Sequence, residues 1–140
     1  MNIETEFLKR WSYDTVDDDK ALEALIGQSF SLIEKDNDEI RFQLTDGRAM
    51  LMWHQQDCCE SVYVEDVSGN LEDLLNTPIL VAESRSRCEP DGEWGDSQTW
   101  TFYTFRTIKG TVDIRWHGSS NGYYGEGVDV RLGKEPENSI

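Results

Sequence analysis

Positive charge is what this sequence has least of: 13 Lys and Arg stand against 28 Asp and Glu, with only two His. A net charge of -15 and a pI near 4.3 exclude direct binding to DNA, RNA or an anionic membrane surface, because the phosphate interaction would be repulsive. Proline (three) and glycine (eleven) are too few for a collagen-like or low-complexity chain. No stretch approaches the ~18 apolar residues of a membrane span, and the start MNIETEFLKRW lacks the basic and apolar regions of a secretory signal. Cysteine is scarce too. Three is an odd number, Cys58 and Cys59 are adjacent and Cys88 stands alone, which fits a reducing compartment and the expectation of a cytoplasmic protein.

What is present argues for a folded chain. The 140 residues are 37% hydrophobic and include five Trp, five Tyr and five Phe. A chain of this length hides about two-thirds of its surface on folding, enough for one core without staples. Residues 1–60 carry 14 acids and 6 bases, and residues 61–140 carry 14 and 7, so the acidity is no tail.

Ile3, Phe7, Leu8 and Trp11 recur at helical spacing over 3–11. A second short helix is expected at about 18–26, with Asp17, Asp18 and Asp19 at its start, a stripe of Leu22, Leu25 and Ile26, and Gly27 at its end. The period then changes to two. Ile40, Phe42 and Leu44 alternate with polar residues, Asp46-Gly47 breaks the run, and 49–53 continues it, the strongest short-range hairpin signal. Val62 and Val64 mark a strand, and Asn70 caps a short helix carrying Leu71, Leu74 and Leu75, stopped by Pro78. A strand starts at Ile79–Ala82 and runs out into polar 84–98. Residues 100–107 and 111–117 flank Lys109-Gly110 as a second hairpin, with Val112, Ile114 and Trp116 on one face and Asp113, Arg115 and His117 on the other. Val128, Val130 and Leu132 mark the last strand. The expectation is one α+β domain over 1–132, mainly antiparallel sheet of about seven strands with two or three short helices. Residues 1–26 form its helical part, 27–132 its β-rich body, and 133–140 a flexible tail.

Four segments, HQQDCCESVYVEDVSGNLEDL at 54–74, PILVAE at 78–83, WTFYTF at 100–105 and GTVDIRWHGSSNGYYGEGVDV at 110–130, carry a resemblance. Together they resemble a family of small uncharacterised domains common in tailed bacteriophage and prophage genomes, over roughly 27–132. The resemblance implies an infected or lysogenic bacterial cytoplasm, where small acidic phage proteins block host enzymes. It implies no catalytic site.

The residues themselves lean away from enzymatic chemistry, with a small metal- or cysteine-dependent enzyme as the second alternative to a binding protein. No P-loop, H-E-x-x-H or G-x-S-x-G pattern occurs. His54, Asp57, Cys58, Cys59 and Glu60 include every common metal-ligand type, but adjacent cysteines on a strand point to opposite faces, so no metal and no cofactor are expected and both read as small core-filling residues. A cysteine nucleophile needs His54 or His117 brought to it by the fold.

Two binding surfaces remain. The first is acidic: Asp57, Glu60, Glu65, Asp66, Glu72 and Asp73, with Glu89, Asp91, Glu93 and Asp96 as a second group. It would grip a basic surface on a host protein, by nucleic-acid mimicry if the groups meet on one face. Average charge is about fivefold too dilute for mimicry, at one per ~500 Å² against one per ~110 Å² on duplex DNA, so clustering, or doubling in a homodimer, is required. The second surface is aromatic and basic: Trp100, Tyr103, Arg115, His117, Asn121, Tyr123 and Tyr124, which would hold a small nucleotide-like ligand by stacking and charge-assisted bonds.

Overall fold

The computed structural model describes residues 12–15, 18–55, 59–90, 97–121 and 125–134. Among them the chain folds as two antiparallel sheets. Strands β1 (Ser12–Thr15), β2 (Phe30–Lys35), β3 (Glu39–Leu44), β4 (Ala49–Trp53) and β9 (Asp129–Lys134) form a five-stranded sheet in the order β1-β9-β4-β3-β2. Strands β5 (Ser61–Ser68), β6 (Val81–Pro90), β7 (Ser97–Thr107) and β8 (Gly110–Ser120) form a four-stranded one in the order β5-β8-β7-β6. A six-residue helix, α1 (Asp18–Glu23), and a 3-10 turn (Leu71–Leu74) are the helical elements among the described residues.

The α+β expectation is therefore corrected to a mainly β architecture. The 18–26 stripe yields only α1: Leu22 and Leu25 are buried, but Ile26 is 48% exposed and already bridges Ile79. Asn70 does accept from the Glu72 amide, yet the helix it opens is one 3-10 turn. The helix expected at 3–11, and Asp17, lie outside the described residues, as does the tail beyond 134; residues 133 and 134 belong to β9.

Period-two patterning explains the sheets. β3 buries Ile40, Phe42 and Leu44 on one face, and β8 buries Val112, Ile114 and Trp116. These inner faces meet: Phe30 and Phe42 from one sheet and Phe105 from the other lie 5.0 to 6.3 Å apart between ring centroids. Each such ring truncated to Ala costs about 3–5 kcal/mol in a core. β4 is covered on both faces. Met50 and Met52 enter the core, while Leu51 faces outward with Arg41 and Arg131 opposite it on the neighbouring strands, whose aliphatic stems flank it.

Both expected hairpins are present. At the first, Gly47 takes φ +95°, and Asp46 accepts from the backbone and guanidinium of Arg48. That side-chain bond leads the causes holding the Asp46 carboxyl below its ordinary value. At the second, Thr107 pairs with Gly110, so Phe105 falls opposite Val112, Tyr103 opposite Ile114, and Trp100 opposite His117. β6 is the surprise of the fold. It continues to Pro90, but from Glu83 to Glu89 its residues are exposed on both faces.

Candidate functional site

The outward face of the four-stranded sheet gathers aromatic and arginine side chains into rows set by strand register. One row runs Arg87, Trp100, His117, Tyr63 across β6, β7, β8 and β5; the next runs Arg85, Phe102, Arg115 and the bulge at Glu65–Asp66. Trp100 and Tyr63 flank His117 at 5.1 and 5.5 Å between ring centroids. Arg87 lies over Trp100 at 5.5 Å and Arg85 over Phe102 at 5.2 Å, within cation–π range. The Trp100 indole N–H donates to Glu65 (3.1 Å), whose other oxygen lies 3.6 Å from Arg115. His117 Nε2 meets Gln98 Oε1 at 2.9 Å, and Arg87 is paired with Glu89. The arginines are thus largely neutralised within the face. Glu83 and Asp113, cross-strand neighbours of Thr104, bound one end of it.

The face is flat. The cavity that opens on it holds about 220 Å³ between Glu83, Arg85, Phe102 and Thr104. That is below the ~300–1,000 Å³ usual for a small-ligand pocket.

Sequence reasoning placed Trp100, Arg115 and His117 on this surface and missed Tyr63, Phe102, Arg85 and Arg87. Tyr103 points the other way. It is 2% exposed, inside the sandwich, because it stands opposite Ile114. Asn121 lies past the end of β8 on a separate recess, and Tyr123 and Tyr124 lie outside the described residues.

The acidic residues are dispersed. Glu60 is buried against His54 at the start of β5, whereas Glu72 and Asp73 sit in the 3-10 turn beyond its far end. The Asp73 carbonyl accepts from Thr107 (2.6 Å), tying that turn to the β7–β8 hairpin. Glu65 bonds Trp100, Asp66 is at the β5 bulge, and Glu89 pairs with Arg87. Asp57, Asp91, Glu93 and Asp96 lie outside the described residues.

A third constellation went unnoticed in the sequence. His54 Nδ1 donates to the Gly127 carbonyl (2.7 Å), and Nε2 lies 2.8 Å from Glu60 Oε1, where one proton on either partner satisfies both. Next along, buried Glu126 accepts from Ser97 (3.1 Å), Thr99 (3.0 Å) and Ser120 (2.5 Å). Glu126 fits only because residue 118 is glycine: a Cβ there would stand 2.5 Å from the Glu126 carbonyl. These bonds clamp the 125–128 crossover between the sheets; a nearby recess of about 450 Å³ is lined by Cys59, Glu60, Ser97, Ser119, Ser120 and Asn121. No signal in the sequence joins residues so far apart along it.

Cys59 is exposed and disulfide-bonded, which corrects its reading as a core-filling residue, and Cys58 lies outside the described residues. Cys88 is free and exposed on β6. No group of three or more metal-ligating His, Cys, Asp or Glu occurs among the described residues, and no helix among them is long and apolar enough to cross a membrane.

No curated protein and no solved structure matches the chain. A family model does, over residues 23–130, from the end of α1 to the start of β9, and so takes in β2 to β8 with the whole aromatic–arginine face. The chain belongs to DUF7448, a family of domains of unknown function.

Proposed function

We propose that this chain is a non-enzymatic binding protein that grips a protein partner through the outward face of its four-stranded sheet. The observation that carries this reading is the row Arg87, Trp100, His117, Tyr63 crossing all four strands of that sheet. Trp, Tyr and Arg are the residues that anchor protein interfaces, and a flat, partly apolar face suits a protein better than a small ligand. Among the described residues of this face, the recess between Glu83, Arg85, Phe102 and Thr104 is small for the nucleotide-like ligand of the alternative reading.

The net charge favours a partner with a basic surface. Arg115 is paired to Glu65 and Arg87 to Glu89 within the face, Arg85 stacks on Phe102, and Glu83 and Asp113 lie at the edge. A molecule carrying -15 steers a basic surface toward it and repels an acidic one. The carboxylates supply approach and the aromatics supply grip. Resemblance to phage-borne domains makes the bacterial host cytoplasm the setting in which to seek the partner, and inhibition of a host defence protein the consequence of binding.

The test is capture from bacterial lysate by the native chain and by Trp100→Ala and Tyr63→Ala, followed by affinity measurement with the purified partner. Each aromatic truncation is expected to weaken binding by about 2 kcal/mol, roughly 30-fold. Reversing Glu83 and Asp113 should chiefly slow association and flatten its salt dependence. Equal affinity of the native and aromatic variants would overturn the assignment of the face. A nucleotide released from the eluate would restore the sponge.

A further inference from the structure

Beneath the exposed half of β6 lies a second concave feature, independent of the outward face. A groove of about 630 Å³ runs between the inner side of β6–β7 and the start of α1 and β9. One wall presents hydroxyls: Ser84, Ser86, Thr99 and Thr101. The other presents Asp18, Asp19, Asp129 and Arg131. Asp18 accepts from Arg131 and from the Val130 amide, both at 3.0 Å, and Arg131 reaches Asp129 only at 3.8 Å. Arg131 is shared between Asp18 and Asp129, and with Asp19 and Arg85 included the lining holds three carboxylates against two guanidinium groups.

Acidity alone would mark no site. The second observation is Tyr103, a lining residue that is 98% buried by its 2% exposure, whose hydroxyl has no hydrogen-bond partner among the described residues. A group that reaches this hydroxyl on entry gains a hydrogen bond inside the groove. Burial, followed by the charges of Asp18, Asp129 and Asp19, keeps this hydroxyl protonated well above the ordinary tyrosine range. Desolvation likewise raises the Asp18 carboxyl. Desolvation is the leading cause of both shifts.

We infer that the groove between the sheets binds a small organic cation, a protonated aliphatic amine. Its N–H groups match carboxylates on one wall and hydroxyls on the other, with Tyr103 also in the lining. The volume suits an organic ligand and exceeds what a bare metal ion fills.

Titration calorimetry of the full chain with spermidine at low salt tests this, with 1,5-pentanediol as the neutral probe. One saturable site is expected for spermidine and none for the diol. Asp19→Asn with Asp129→Asn should weaken spermidine binding by about tenfold or more, and Tyr103→Phe should weaken it severalfold. Asp38→Asn with Glu72→Gln removes the same charge from exposed positions outside the groove and should leave the affinity unchanged. If the two double variants weaken binding equally, spermidine is a diffuse counterion and the inference fails. Binding of the diol as tightly as spermidine would overturn the cationic assignment, and retention of affinity in the groove variant would overturn the site.

Discussion

Tyr103 shows how much one register position decides. Its alternation partners Trp100 and Phe102 stack outward with arginines, while Tyr103 turns inward with its hydroxyl near three carboxylates. Its folded-state proton is held more tightly than in the unfolded chain, where tyrosine titrates near pH ~10. Above that pH the unfolded state binds fewer protons than the native one, so stability falls as pH rises. Tyr103→Phe removes this proton. Urea unfolding between pH ~10 and ~11.5 should show the variant losing stability more slowly than the native chain, by up to ~1.4 kcal/mol per pH unit. Parallel slopes would mean that Tyr103 ionises in place.

Turns and strands carry the next level of specification, and two glycines separate its two components. Gly47 and Gly69 both have positive φ, but a Cβ on Gly47 meets nothing, whereas one on Gly69 would lie 2.5 Å from the Thr111 carbonyl. Gly47→Ala should therefore cost only the left-handed strain, about 1–2 kcal/mol. Gly69→Ala adds a backbone clash worth about 1–3 kcal/mol more. The difference should appear as a lower urea midpoint at unchanged slope. The same level explains what was legible. Asp46-Gly47 and Lys109-Gly110 sit between alternating runs, so both hairpins could be read directly. The second even sets a register from which the inward turn of Tyr103 follows, a step the sequence reading did not take. β2 was illegible because Phe30 is its one fully buried side chain, and outer β6 because it buries none. The helices expected at 18–26 and after Asn70 were over-read: leucines three apart in short runs satisfy a helical template whether or not the chain propagates it. The groove and the Glu126 clamp were out of reach, since each joins segments far apart in sequence.

At the scale of the molecule, two forces oppose each other: a sandwich core closed by Phe30, Phe42 and Phe105, and a net charge of -15 spread over 140 residues. Self-repulsion favours the expanded state and is screened by salt. Raising NaCl from ~0.01 to ~0.15 M shortens the Debye length from about 30 to 8 Å, and the melting temperature should climb over that range. A flat response would show that local pairs such as Arg131 with Asp18 already neutralise the field. The position of β9 has a temporal consequence. It comes after every other described strand in the chain, yet it lies inside its sheet, hydrogen-bonded to β4 on one side and to β1 on the other. During synthesis the ribosome therefore releases β1 to β4 with a strand-wide gap between them, while the β5–β8 sheet is already complete. The nascent chain must shield that gap until residue 134 emerges, and a stall just before β9 would leave a sticky half-built sheet for chaperones to hold.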